Sequence, residues 1–406
     1  MKTTTLRRFH QKLSVPFDYP VVFTRDLFHP QNPLLVRITR RLGENRNHRV
    51  LVCLDAGLRR HAPGLADRIR GYFQHHHRKI TLAGPIRIAG PTRHLKDGLD
   101  SVRKAIGWMA ARNLDRHSFV MIVGGGNLLD SAGLAAALVH RGLRVIRVPT
   151  TVTAQNDVGV GVKTGVDAFG AKNFLGVFAP PFAVLNDLDF LVSLPQRERL
   201  AGIAEAFKVA MIKDRRFFAD LCRDARLFRR GDIPALERAI IRCAQLHLDH
   251  IRLGGDPFET GSARPLDFGH WSAHHLETAS GYRLRHGEAV AIGIALDAHI
   301  AADRGLIARR EANRLVRAMR SAGLVLWHPQ LLAHDRQGRP RLLEGLRRFQ
   351  EHLGGKLTLT LPGPLGARVE IHALTSEEIL RAVHCLRRTA TPRRRTGQGG
   401  NRRAVA

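Results

Sequence analysis

Cysteine is scarce in this 406-residue chain: Cys53, Cys222, Cys243 and Cys385 are scattered, and no CxxC pair occurs. That excludes a disulfide framework, argues against a thiolate zinc site, and fits a reducing compartment. Long apolar runs are missing as well. A membrane-spanning helix needs about 20 apolar residues in succession. The nearest stretch, Phe119 to Val139, is broken by Gly124, Gly125, Gly126 and Asp130. The opening MKTTTLRRFHQKL lacks the apolar core of a secretory signal. The expected location is therefore the cytoplasm, with no membrane partner.

Acidic residues are in deficit. Asp and Glu number 35 against 65 Lys and Arg, a formal charge of +30. Such a balance can serve nucleic acid by neutralising phosphates. Here, however, the arginines are spread along the chain rather than gathered in one stripe. The exception is RRTATPRRRTGQGGNRR, Arg387 to Arg403, which has no apolar periodicity and reads as a disordered basic tail. No specific nucleic-acid partner is expected; the positive field would instead draw anionic small molecules.

What is present is ordinary globular material, 44% apolar and 25% charged, long enough for two domains. Arg49 to Leu54, Lys79 to Ala83, Phe119 to Val123, Arg144 to Val148 and Phe182 to Leu185 read as buried strands. Helical patterns at Ser101 to Arg112 and Leu128 to His140 lie between them, and this alternation predicts an α/β fold with a doubly wound parallel sheet. After Asp187 the pattern turns helical. Glu198 to Lys213, Ile233 to Ile251, Pro265 to Ser280, Glu288 to Arg304 and Arg309 to Ala322 read as helices, with a short strand at Lys356 to Leu361. The expected division is residues 1–187 as an α/β domain, 188–386 as a mainly α-helical domain, and 387–406 as the tail. The functional cleft should lie between the halves, at the carboxyl ends of the strands.

Three motifs carry chemistry. FVMIVGGGNLLDSAG sets three glycines between a strand and a helix, where backbone can approach a pyrophosphate. It is not GxGxxG, and a plain tight turn explains it equally well. GIAEAFKVAMIKD places Glu205 and Lys208 on one helical face. Such spacing usually marks a surface ion pair, but these neighbours are apolar, and a buried pair is costly unless matched or metal-bound. RPLDFGHWSAHHLETASGYRLRHGEAVAIGIAL holds His270 and His274 four apart and His286 beyond them. Imidazole and carboxylate suit zinc, and spacing alone nominates His270 with His274. A chain with 22 histidines contains some HxxxH by chance, so core or capping histidines stay open at this point.

VGGGNLLDSAG, HRGLRVIRVPTTVTAQNDVGVGVKTGVDAFGAKNFLG, LVSLPQRERLAGIAEAFKVA, RPLDFGHWSAHHLE and LRHGEAVAIG resemble 3-dehydroquinate synthase, block by block and in order, from about Arg49 to Arg304. QNDVGVGVK, FAPPFAVLND and GDPFETGSARPLDFGHW are most similar to the EboD-like branch of these sugar phosphate cyclases. The resemblance implies a Rossmann-like domain followed by a helical one. It implies zinc, or cobalt in its place, on Glu205, His270 and His286, which moves His274 from the metal to the substrate. It implies NAD on Asp55, Gly125, Gly126, Asp130, Thr150, Thr151, Lys172, Asn173 and Ser193. Asp157, Lys163, Lys208, Arg264 and His274 would meet a sugar phosphate substrate. Arg141 matches an arginine that reaches a neighbouring subunit, implying a homodimer. The implied reaction is a carbon–oxygen lyase sequence: transient oxidation, phosphate elimination, reduction and intramolecular aldol closure, with no net redox.

Three departures stand out. Asp267 replaces the asparagine of LNxGH, Arg93 stands where GGExxK has glutamate, and the second substrate lysine has no match except His247 or His250 nearby. A carboxylate at 267 would repel an anionic substrate group. Cyclisation of the 2-epi-5-epi-valiolone synthase type is therefore an alternative. So is a polyol dehydrogenase of the iron or glycerol type, which Lys163, Lys208 and Arg264 argue against, and, further off, a basic nucleic-acid-binding protein.

Overall fold

The computed structural model describes residues 8–90, 98–169, 171–254, 256–259, 265–352 and 355–390. Arg93, Arg264 and everything after 390 lie outside these residues.

In chain order the strands of the first half are β1 (Val21–Thr24), β2 (His48–Asp55), β3 (Ile80–Leu82), β4 (Arg87–Ala89), β5 (Phe119–Gly124), β6 (Arg144–Pro149), β7 (Lys163–Ala168), β8 (Ala171–Phe178) and β9 (Ala183–Asp187). Seven of them form one parallel sheet in the order β1-β9-β6-β5-β2-β3, with β4 also pairing with β2. β7 and β8 form a separate antiparallel hairpin. The apolar runs are nearly continuous because both faces are covered. Val50, Val52, Leu54, Met121 and Val123 pack on one face, Leu51, Cys53, Val120 and Ile122 on the other. From β2 the chain moves outward to β3 and β4, then returns to β5 on the opposite side of β2. The strand order thus reverses between β2 and β5, and the carboxyl ends there open a crevice.

The second half packs helices Gln196–Lys213, Arg215–Arg230, Ile233–Leu253, His270–Ala279, His286–Asp303, Arg309–Ala322, Leu342–His352 and Ser376–Ala390 around one core. A small antiparallel pair, β10 (Leu359–Pro362) and β11 (Arg368–Ile371), closes it. Three expectations need correction. The helix expected over Pro265 to Ser280 is split into a 3-10 turn, Pro265–Asp267, and a helix from His270. Between them Gly269 sits at φ 82, a left-handed turn open to glycine. The strand expected from Lys356 begins at Leu359. The basic tail expected from Arg387 does not begin there: the Ser376–Ala390 helix buries Ile379, Ala382, Val383 and Leu386 and carries Arg387 and Arg388 in its last turn, and the rest of the expected tail lies outside the described residues.

Two glycines let the helices approach closely. A Cβ on Gly287 would run into the Ala201 carbonyl, and one on Gly293 into the Gly269 carbonyl. The His286–Asp303 helix therefore lies directly against both the Gln196–Lys213 helix and the turn that launches His270. Replacing Gly293 with Ala is expected to cost about 1–3 kcal/mol by overpacking, measured by chemical denaturation. Gly107→Ala, in an exposed helix position with nothing within 4 Å, should instead be neutral or stabilise by up to about 1 kcal/mol. Equal midpoints for the two variants would contradict this packing account.

Candidate metal and nucleotide site

The Gln196–Lys213 helix is buried from Ala201 to Ile212, Glu205 and Lys208 included. Glu205 is 0% exposed, and neither carboxylate oxygen has a hydrogen bond of regular geometry. Lys208 Nζ stands 2.6 Å from Oε2, a charge pairing rather than a full set of bonds. Burial pulls the Lys208 ammonium toward neutrality, but Glu205 and Asp157 outweigh it and hold the pKa above the usual lysine value. Such a carboxylate lacks partners for its remaining lone pairs, which a cation would supply.

His270 and His286 converge on it. One ligand atom from each of Glu205, His270 and His286 lies within 4.8 Å of the others. His286 Nε2 is 3.7 Å from Glu205 Oε1. Ligand bonds of about 2.0–2.1 Å let one small cation span such a gap with slight contraction. His270 Nδ1 faces the Phe268 carbonyl at 3.2 Å, which leaves Nε2 for a metal. Burial, helped by Lys208, depresses the His270 pKa, keeping the neutral, ligating form. These donors fit a zinc-like ion.

His274, one turn on from His270, lies beside both rings, 5.5 Å from His270 and 6.1 Å from His286 between centroids. Asp157, on the π-helical turn Ala154–Val158, has Oδ2 3.9 Å from Lys208 Nζ and Oδ1 3.1 Å from His247 Nδ1. Burial opposes its charge, yet Lys208 and His247 hold its pKa low. Lys163, at the start of β7, pairs with Glu259, whose other oxygen is 3.6 Å from His250 Nε2. The sequence-nominated groups around the metal trio thus gather in one place. Arg264 lies outside the described residues.

The nucleotide group divides. Asp55 ends β2, Gly125 and Gly126 follow β5, and Thr150 and Thr151 follow β6, all at the switch crevice. The Thr150 amide donates to the Gly124 carbonyl at 3.0 Å, and Asp55 Oδ1 accepts from the Gly57 amide at 2.8 Å. The Gly126–Leu138 helix starts there with no side-chain cap. A Cβ on Gly126 would meet nothing nearer than 3.5 Å, so packing does not demand glycine. An open cradle under uncapped amides suits a pyrophosphate. Asp130 lies one turn into that helix, and burial pushes its pKa up to about 7. Asn173 is on the exposed part of β8 and Ser193 at the exposed end of the Phe190–Ser193 helix. Lys172 is turned to the metal side, with Nζ 2.8 Å from Glu277 Oε1.

Sequence reading missed several supports. Glu277 accepts from His286 Nδ1 at 3.2 Å. Asp297, fully buried, accepts from Trp271 Nε1 at 2.8 Å and the Gly269 amide at 2.9 Å, which anchors the turn before His270. Buried Arg147 donates to the carbonyls of Gly159, Gly161 and Lys163 and so holds the loop between Asp157 and Lys163. Asp297 and Arg147 are charges within apolar runs, the signal that marked Glu205, whereas Glu277 shares a helical face with His270 and His274.

A family model described as 3-dehydroquinate synthase N-terminal matches residues 90–201, and one described as 3-dehydroquinate synthase C-terminal matches 202–338. A 2-epi-5-epi-valiolone synthase of Streptomyces glaucescens is 35% identical over 375 residues, 90% of this chain and 90% of its own. The chain belongs to the 3-dehydroquinate synthase family of sugar phosphate cyclases. Within that family, a 3-dehydroquinate synthase of Pelobacter propionicus (strain DSM 2379 / NBRC 103807 / OttBd1) is 37% identical over 268 residues, 66% of this chain and 72% of its own. A solved 2-epi-5-epi-valiolone synthase from Streptomyces hygroscopicus subsp. jinggangensis 5008, with NAD+ and Zn2+ bound, superposes with a TM-score of 0.80 at 29% identity, covering 94% of this chain and 99% of that one. No helix among the described residues of this cyclase-family chain is long and apolar enough to cross a membrane.

Replacing Glu205 or His286 with Ala is expected to abolish stoichiometric zinc binding, measured by metal analysis after dialysis, while the far-UV circular dichroism stays unchanged. Full zinc content in both variants would refute the ligand assignment.

Proposed function

We propose that the protein is a cyclase of a sugar phosphate, a carbon–oxygen lyase acting on phosphate, with NAD held at the switch crevice and zinc held by Glu205, His270 and His286. Cobalt has the donor preferences to substitute. The observation that carries the reading is Glu205: a buried carboxylate without regular hydrogen bonds, faced by two imidazoles beside an open glycine cradle. When bound, the two groups supply reversible hydride transfer and polarisation of a substrate oxygen.

The chain's own residues do the rest. Lys208, kept charged by Glu205 and Asp157, faces developing negative charge on the substrate. Lys163 and Arg264 receive the phosphate. Asp157 and His274 accept and return protons at the ring hydroxyls. The phosphate-directed cations favour cyclisation over net oxidation by a polyol dehydrogenase.

The substrate is the finer question. Asp267 acts electrostatically on Lys208 alongside Glu205 and Asp157. A further carboxylate there would be repelled, so the preferred substrate is a sugar phosphate without one, as in valiolone-type cyclisation. Exposed Arg141 has φ 65 and lies just before β6, at the sheet end remote from the crevice. Its exposure leaves it able to reach a neighbouring subunit in the proposed homodimer. A cytoplasmic location completes the proposal.

The test incubates the protein with NAD, zinc and a panel of sugar phosphates, some bearing a carboxylate. Phosphate release with a carbocyclic product and no accumulating NADH is expected, fastest on a carboxylate-free substrate. NADH accumulating in step with substrate loss, without phosphate release, would establish a dehydrogenase instead.

A further inference from the structure

The Glu277 carboxylate is 3% exposed, and its two oxygens serve different halves of the molecule. Oε2 accepts from Nδ1 of the metal-facing His286 at 3.2 Å. Oε1 accepts from Lys172 Nζ at 2.8 Å, and Lys172 comes from β8, 105 residues away in sequence. The β7–β8 hairpin packs in turn on the Gly126–Leu138 helix, where the Thr164 hydroxyl donates to the Asp130 carbonyl. That helix begins at the glycine cradle. A continuous path therefore runs from the cradle through the helix, the hairpin, Lys172, Glu277 and His286 to the metal position.

We propose that Glu277 is a positioning residue for the metal ligand His286, and that Lys172 uses it to couple NAD binding to metal binding. The inference rests on the function proposed above. With Nδ1–H committed to Glu277, the His286 ring is fixed in the tautomer and orientation that present Nε2 toward Glu205. Glu277 can hold that role as a buried anion only while Lys172 matches its second oxygen. NAD seated in the cradle would bind at the start of the helix on which the hairpin packs, and so would favour the arrangement in which Lys172 meets Glu277. NAD therefore tightens the metal, and by linkage the metal tightens NAD to the same degree.

Glu277 could instead serve as a metal ligand itself. His274, Glu277 and His286 also place one ligand atom each within 4.8 Å of one another. A second cation there would face the Lys172 ammonium 2.8 Å from Glu277. Like-charge repulsion across the shared carboxylate favours positioning over ligation.

The experiment measures zinc affinity of the full-length protein by competition with a chromophoric chelator, without NAD and with saturating NAD. The wild type, Glu277→Gln, Lys172→Met and Lys172→Arg are compared, with circular dichroism as a check on folding. In the wild type NAD should tighten zinc by about 5-fold or more. Glu277→Gln should weaken zinc about 10–100-fold and reduce the NAD effect to under about 2-fold, since both His286 and Lys172 lose the anionic acceptor between them. Lys172→Met should remove the NAD effect, and Lys172→Arg should restore most of it. Unchanged zinc affinity in Glu277→Gln, an NAD effect surviving in Lys172→Met, or two zinc ions per wild-type chain would each overturn the inference. A wild type that binds zinc and NAD without coupling defeats this inference alone. A wild type that binds neither defeats the proposed function and the inference with it.

Discussion

The structure depends on a carboxylate and an ammonium inside a helix that is buried on every side. Glu205 and Lys208 sit among Ala204, Ala206, Phe207 and Val209, all essentially inaccessible. Removing two charges from water costs several kcal/mol each, and mutual attraction repays this only when the remaining lone pairs are satisfied. Here they are not, because neither Glu205 oxygen is regularly hydrogen-bonded. A core built only for stability would replace the pair with leucine-sized residues at little loss. The pair makes sense as half of a cation site, and the surrounding helices are placed accordingly. Gly287 and Gly293 let one helix lie against two neighbours, and that contact brings His286 and His270 to the carboxylate.

The second constraint is how the α/β half meets this helical site. The sheet supplies a crevice where its strand order reverses, and the turn after β6 carries it to the Gln196–Lys213 helix, where Asn156 Nδ2 donates to the Gly202 carbonyl and Asp157 faces Lys208. The β7–β8 hairpin adds a second link. It leaves the sheet, pairs only with itself, and places Lys163 against Glu259 and Lys172 against Glu277 in the helical half. Arg147 holds the loop entering the hairpin by three backbone carbonyls. Two ion pairs and one buried guanidinium thus help set the distance between the proposed nucleotide cradle and the proposed metal ligands, which hydride transfer would require to be short.

Much of this was legible in the sequence because it is local. The buried strands, the glycine turn after β5 and the Glu205–Lys208 spacing are periodicities within a dozen residues. Asp297 and Arg147 carried the same signal, a lone charge within an apolar run, and could have been found by it. Glu277 shares a helical face with His270 and His274, so spacing could have found it too. The Lys172–Glu277 pairing could not be read, because it joins residues 105 apart through tertiary packing. The hairpin escaped because glycine and aspartate dilute its alternation in KTGVDAFGAKNFLGVF and it contributes no strand to the sheet. The start of the His270 helix was misplaced because only the left-handed backbone at Gly269 breaks a pattern that otherwise reads as continuous. The choice of His286 over His274 as ligand came from resemblance, since spacing favours the pair four apart.

Charge placement around Lys208 bears on how a substrate would lie. Three carboxylates, those of Glu205, Asp157 and Asp267, act on this one ammonium. Its charge is largely matched before any ligand arrives, so it is poorly placed to serve as the main anchor of a phosphate dianion. Lys163, at the rim with about half its side chain exposed and one carboxylate partner, is better placed. The anionic end would then lie toward the hairpin, where long-range attraction from the basic chain also leads. The hydroxyl-bearing end would face Asp157 and Asp267, which accept hydrogen bonds from hydroxyl groups and repel carboxylates. Within a family of sugar phosphate cyclases, this polarity, cationic at the rim and acidic at depth, would favour the substrate proposed above, charged at one end only.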